Sequence, residues 1–182
     1  MTRCVPGGLD YTCIQAVKTL HGSKGGALDN NQISKFCAEA KLMATLQSRN
    51  GGISHPNLVQ MKRCCFEGNE LMLVLQFHEL GTLEDVLQNA NDLNIVDRLI
   101  WVPDGDGVLY NLTIGIAKGL EYLHSVNVIH RDVKPTNVLI EGEPSRCVNW
   151  NARISDFGES RASACIVLTQ RATLASYYPA SH

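Results

Sequence analysis

Apolar positions recur along this chain first at the spacing of strands and one helix, then mostly at the spacing of helices. Tyr11 to Leu20 (YTCIQAVKTL) predicts a strand, with Ile14, Ala16 and Val17 apolar and Lys18 near its end. HGSKGGALDNN (21–31) is rich in Gly and Asn and predicts a loop. Over Gln32 to Gln47 the apolar residues Ile33, Phe36, Cys37, Ala40, Met43 and Ala44 return every three or four positions, which predicts a helix. Glu39 lies beside that stripe. RNGGISHP (49–56) breaks the helix. Leu58 to Phe66 predicts a strand, Gly68-Asn69 a hairpin turn, and the unbroken run LMLVL (71–75) a strand covered on both faces. The order to about residue 78 is therefore strand, helix, strand, strand.

Beyond His78 helical spacing takes over. Gly81-Thr82-Leu83 precedes a predicted helix over Leu83 to Asn89, and VPDGDG (102–107) is a polar break. Asp104 and Asp106 do not make it a calcium loop, because Gly115 stands where the twelfth-position acid belongs. Tyr110 to Ser125 predicts a helix with Leu112, Ile116, Leu120 and Leu123 as its buried stripe. Short strands are predicted over Val138 to Ile140 and Ala152 to Ser155, joined by the long turn EGEPSRCVNWN.

Composition narrows the class. Of the 182 residues, 45% are hydrophobic and 19% charged, enough apolar content for a folded core. The formal net charge of −2 points to neither a nucleic-acid nor a membrane partner. Seven cysteines, an odd number without a C-x-x-C pair, suggest neither a disulfide framework nor a zinc site. They read as structural, reduced thiols, which implies a reducing compartment and a cytoplasmic location. No signal peptide is visible, and no apolar run approaches the ~18 residues of a membrane span.

The chemistry concentrates in IHRDVKPTN (129–137). Asp132 and Asn137 stand five residues apart on a predicted loop, and Asp156-Phe157-Gly158 follows the second short strand. Two segments can thus bring Asp132, Lys134, Asn137 and Asp156 to one cleft. Oxygen ligands that leave a cation incompletely caged suit Mg²⁺ shared with phosphates, and a lysine beside them neutralises phosphate charge. Such a set suits phosphoryl transfer, where positioning and charge stabilisation carry the catalysis.

These residues resemble the catalytic-loop and metal-loop motifs of the eukaryotic protein kinases. QAVK (15–18) is similar to the strand that carries the phosphate-binding lysine, and Glu39 occupies the position of that lysine's helix partner. HPNLV (55–59), LVLQFHELGTLEDVL (73–87) and IAKGLEYLHSVNVIHRDVKPTNVLI (116–140) resemble the family's next segments in order. The resemblance covers about residues 11 to 160. It implies an α+β, two-lobed protein-kinase-like fold, divided as 1–78 and 79–182. It also implies transfer of the γ-phosphoryl group of ATP to protein Ser or Thr hydroxyls, with Mg²⁺. By resemblance, Asp132 takes the substrate hydroxyl proton and Lys134 sits by the γ-phosphate. Lys18 binds the α- and β-phosphates with Glu39 as its partner, and Asn137 and Asp156 hold Mg²⁺. Gln76, Phe77 and His78 form the adenine-binding hinge, Leu75 backs the pocket, and Ala16 and Leu139 sandwich the adenine. Met43, His130 and Phe157 stack as a packing column, and Arg131 binds a phosphorylated activation loop. Lys134 two residues after Asp132 looks like the serine/threonine pattern, and DFGESR like the tyrosine-kinase-like branch.

The ends depart from the family pattern. No G-x-G-x-x-G loop precedes Lys18, and the family's first strand is expected to be absent with it. LTQRATLASYYPA resembles an activation loop, with Thr169, Thr173 and Tyr177 as candidate phosphorylation sites, but no A-P-E motif follows. The chain is accordingly expected to be a partial kinase domain without the helices that follow that loop. The apolar surface so left over residues 109 to 158 is expected to offer a pairing surface. The other reading is an inactive fragment or pseudokinase-like module that binds nucleotide or another kinase domain and transfers nothing.

Overall fold

The computed structural model describes residues 2–4, 14–20, 29–52, 54–67, 70–90, 107–142 and 150–162. A four-stranded antiparallel sheet contains β1 (Thr2–Cys4), β2 (Gln15–Leu20), β3 (Met61–Glu67) and β4 (Glu70–Gln76), in the spatial order β1-β2-β4-β3. The apolar run of β4 is explained by this central place: Leu73, Val74 and Leu75 are all buried. β2 is shorter than the predicted strand, and Tyr11 to Cys13 lie outside the described residues. β1 corrects the expectation that no strand precedes β2. Thr2 pairs with Val17 and Cys4 with Gln15, so β1 supplies hydrogen-bond partners to what would otherwise be the open edge of β2.

Helix α1 spans Asn30–Arg49, two residues longer at each end than predicted. Asp29 caps it by accepting from the Asn31 N–H. Its buried residues are Phe36, Glu39, Met43 and Leu46, while Cys37 and Ala44 are exposed. The buried stripe is therefore rotated from the apolar one. The cause is Glu39, a charge that is tolerated inside because Lys18 reaches it.

Two further α-helices and two small sheets complete the described fold. α2 (Leu83–Gln88) starts with a capping box, in which the Asp85 N–H donates to Thr82 Oγ1 and the Thr82 N–H to Asp85 Oδ2. α3 (Val108–Ser125) begins two residues earlier than predicted and buries Leu112 and Leu123 fully. β5 (Val128–Ile129) pairs with β8 (Arg161–Ala162), and β6 (Val138–Glu141) with β7 (Asn151–Ile154). β7 begins and ends one residue before its predicted bounds. One core cluster joins Ala16, Phe36, Met43, Leu73 and Leu75 to Leu123, Val128, Ile154 and Phe157. A second packs Val86, Leu112, Val138, Ile140 and Ala152 between α2, α3 and the β6–β7 pair.

The segment after α1 is stitched to β7. The Val59 N–H donates to the Ile154 carbonyl and the Ile154 N–H to the Asn57 carbonyl, both at 2.9 Å. Asn57 Nδ2 adds bonds to Asn151 Oδ1 and the Ala152 carbonyl. Gly119 of α3 makes room for this stitch: a Cβ there would lie 2.9 Å from both the Asn57 carbonyl oxygen and Ile154 Cδ1. Among the described residues Cys37, Cys64 and Cys65 are free thiols, the first two exposed, and no helix is long and apolar enough to cross a membrane. Thr169, Thr173, Tyr177 and residues 102–106 lie outside the described residues.

Candidate active site

Lys18 points from β2 toward α1. Its Nζ lies 3.0 and 2.9 Å from the two carboxylate oxygens of Glu39 and 3.0 Å from Asp156 Oδ1. Burial works against the ammonium, but the hydrogen bonds and charges of Glu39 and then Asp156 outweigh it and hold its pKa above the usual lysine value. Lys18 is thus a fixed cation at the junction of sheet, helix and metal-loop segment.

The second half of the site hangs on β6 and β7. Ser155, next to Asp156, donates from both its N–H and its hydroxyl to the Asn137 carbonyl, at 2.8 and 3.0 Å. Asn137 Nδ2 donates in turn to the Asp132 carbonyl and to Asp132 Oδ2, both at 2.9 Å. Lys134 Nζ closes the series at 2.8 Å from Asp132 Oδ2. That bond, ahead of the Asn137 bond, holds the Asp132 carboxyl below its ordinary range, and the same pair holds Lys134 above its own. Glu39, Lys18, Asp156, Ser155, Asn137, Asp132 and Lys134 therefore form one continuous series of contacts and chain neighbours. It joins all the polar side chains predicted for catalysis, phosphate and metal.

Backbone conformation supports the placement. Arg131 and Asp156 have φ of 73° and 59°, the left-handed region that non-glycine residues seldom occupy. Such conformations persist only where the surroundings hold them. Around these two, His130 is buried, its Nε2 2.9 Å from the Ser155 carbonyl, and its ring meets buried Phe157 edge-on at 5.3 Å. Met43 belongs to the same core cluster as Phe157.

The apolar residues predicted to hold a base are also together. Ala16 and Leu75 are register partners across β2 and β4, and Leu139 joins them in one core cluster. The Thr82–Leu139 bridge and the bond from the Ile140 N–H to the Gly81 carbonyl bring the chain after the hinge onto β6. At the hinge, the Gln76 N–H is already donated to the Gln60 carbonyl, and the His78 side chain is buried.

The donor set fits Mg²⁺. Both Asn137 amide hydrogens are spent on Asp132, so its side-chain oxygen is the atom that could coordinate a cation, and the Asp156 carboxylate is about half exposed. Two oxygen ligands with an open remainder is the arrangement for a cation that also carries phosphates. Sequence reasoning missed the tie through Ser155 and the Gln76–Glu141–Arg153 contacts; Arg153 stands only three residues before Asp156, and that proximity was the available signal.

The protein kinase domain family model matches residues 8–180. The chain is similar to curated plant proteins from Arabidopsis thaliana. It is 38% identical over 113 residues to a probable LRR receptor-like serine/threonine-protein kinase, which covers 60% of this chain and 10% of that protein. It is 36% identical over 149 residues to a G-type lectin S-receptor-like serine/threonine-protein kinase (80% and 14%). It is 38% identical over 152 residues to another probable LRR receptor-like serine/threonine-protein kinase (82% and 13%). The chain thus spans under a fifth of the length of these relatives. Protein kinases as a family use ATP and Mg²⁺ and act on proteins. With the family model matched over nearly its whole length and the motif residues joined in one series of contacts, this chain belongs to the protein kinase family.

Proposed function

We propose that the chain is the nucleotide-binding and catalytic part of a serine/threonine kinase, with its two lobes dividing near residue 78. It binds ATP with Mg²⁺ and transfers the γ-phosphoryl group to a Ser or Thr hydroxyl of a protein. The observation that carries this reading is the unbroken series from Glu39 to Lys134, which supports a phosphate role for Lys18, metal roles for Asn137 and Asp156, and a base role for Asp132. Lys18, held by Glu39, grips the α- and β-phosphates. Asn137 and Asp156 hold Mg²⁺, which when bound neutralises charge on the phosphate oxygens. Ala16, Leu75 and Leu139 enclose the adenine, with Gln76, Phe77 and His78 as the hinge beside it.

Asp132 accepts the proton of the acceptor hydroxyl as that oxygen bonds to phosphorus and ADP departs. Its depressed pKa makes it a weak base at rest, so its main contribution is to place the hydroxyl. When Lys134 turns to a γ-phosphate oxygen it releases the carboxylate, whose proton affinity then rises as transfer begins.

The test is a thermal shift of the purified chain with ATP and Mg²⁺, followed by phosphotransfer to a mixed Ser/Thr peptide library. A Mg²⁺-dependent rise in Tm that Asp156→Ala abolishes, with transfer that Asp132→Asn abolishes, is the expected result. Binding without transfer would leave a nucleotide-binding module, and no Mg²⁺-dependent shift would overturn the reading.

A further inference from the structure

A second polar network stands outside the residues assigned above to phosphate and metal. Gln76 Nε2, at the end of β4, donates to Glu141 Oε1 at 3.0 Å. Arg153 of β7 grips the other oxygen, Glu141 Oε2, through Nε at 2.8 Å and Nη2 at 2.7 Å. Its Nη1 donates to the Leu58 carbonyl at 3.1 Å. The Arg153 side chain is only 14% exposed. A single guanidinium thus binds β6, the segment after α1 and, through Glu141, the start of the hinge.

His78 sits in the field of the same pair. Burial first, then the Arg153 charge, lowers its pKa to about 4 against the opposing pull of Glu141. The imidazole is therefore neutral near pH 7 and does not compete with Arg153 for Glu141. An exposed ion pair contributes roughly 0–1 kcal/mol, largely because two long side chains must be ordered for it. Here the fork is planar, mostly enclosed and braced by a carbonyl and an amide, a geometry that resists changes of length and angle.

Its placement gives this rigidity a use. Gln76 opens the segment assigned to adenine. Arg153 lies three residues before Asp156, and β6, which ends at Glu141, begins directly after Asn137. We propose that Arg153 is a positioning residue that, through Glu141 and Gln76, fixes the separation between the adenine end and the metal-phosphate end of the cleft. This inference rests on the kinase reading of the site. A ligand that grips both ends senses that separation, whereas a ligand that grips only the adenine end does not.

The experiment compares the affinities of ATP–Mg²⁺ and adenosine by titration calorimetry for the unaltered chain, Arg153→Met, Arg153→Lys and Glu141→Gln. For Arg153→Met, ATP–Mg²⁺ affinity is expected to fall about tenfold while adenosine affinity changes less than about twofold. Arg153→Lys keeps the charge without the fork and is expected to recover only part of the loss. Glu141→Gln keeps the side-chain shape but removes the charge that Arg153 grips, and should cost about threefold with the same selectivity; it carries the test if Arg153→Met fails to fold. Equal losses for both ligands would show a general loosening and overturn the proposal, as would no loss. If the unaltered chain binds neither ligand, the nucleotide reading itself falls, and this inference with it.

Discussion

Lys134 and Asp132 form an ion pair whose two members have opposite tasks, one toward phosphate and one toward a hydroxyl proton. Because Lys134 is the leading cause of the depressed Asp132 pKa, Lys134→Ala should raise it. The acidic limb of the kcat/KM–pH profile, which reports the free enzyme, is expected to move to higher pH, and an unchanged limb would show that Lys134 does not govern the base. His78 gives a separate prediction for stability. Its folded pKa of about 4 lies below the ordinary value of 6.5, so between these values the unfolded chain binds a proton that the fold rejects. Stability contributed by neutral His78 is complete above pH 6.5 and falls as pH drops toward 4, by up to about 3 kcal/mol. Urea melts at pH 7 and pH 4 should show a smaller difference for His78→Leu. A residual slope comes from His55, whose pKa is lowered by burial and then by Arg153, and from Glu141, whose carboxyl is held low against burial by the Arg153 hydrogen bond and charge. At this scale the motif residues were legible because their chemistry is dense over a few positions. The structural part of His78 was not, because nothing local marks a histidine that Glu141 and Arg153 face from β6 and β7.

Elements were legible where one period runs long enough. α1 and α3 form where their apolar spacing predicts helices, and β4 follows its continuous run. The inward face of α1 was not, because hydrophobic patterning places a charged residue outside and only the tertiary partner Lys18 brings Glu39 in. α3 shows a similar limit, since two of its inward positions are glycines and carry no hydrophobic signal. Replacing Gly119 with Ala would add roughly 1 kcal/mol of helix propensity. The new Cβ would meet a backbone carbonyl and Ile154 at 2.9 Å, and crowding of that kind costs about 1–3 kcal/mol. Crowding wins because the Asn57 carbonyl is fixed by the Ile154 N–H, so Gly119→Ala should lower Tm by several degrees; a rise would refute the close approach. For α2, Thr82→Ala removes the N-cap oxygen and should cost about 1 kcal/mol in a denaturant melt, with the m-value unchanged.

At the scale of the molecule, sequence order suggests two lobes. Their cohesion was not legible, because it arises from contacts between residues about a hundred positions apart. Leu73 and Ala16 share a core with Leu123, Ile154 and Phe157, and Asn57 and Arg153 add polar ties across the same boundary. A shared core couples the unfolding of its parts. Far-UV circular dichroism and tryptophan fluorescence should therefore report one coincident transition in urea. Two separated transitions would mean that the halves are independent folding units.

The anchoring of α1 is lopsided. Near its C-terminal end the Tyr122 hydroxyl donates to the Leu46 carbonyl at 2.9 Å and Gln47 Nε2 to the Met61 carbonyl at 3.0 Å. Toward the other end Lys35 meets Glu159 at 3.2 Å with both side chains more than half exposed. The helix is in effect a lever with its fulcrum at the last turn. Glu39 stands ten residues from Arg49, about 15 Å along the axis, so a tilt of about 10° would carry it about 2.5 Å. That travel would nearly double the 2.9 Å separation from Lys18 and break its grip. Phe36, farther out on the same lever, is buried in the core, so such a tilt carries core packing with it and couples the grip on Lys18 to the seating of α1.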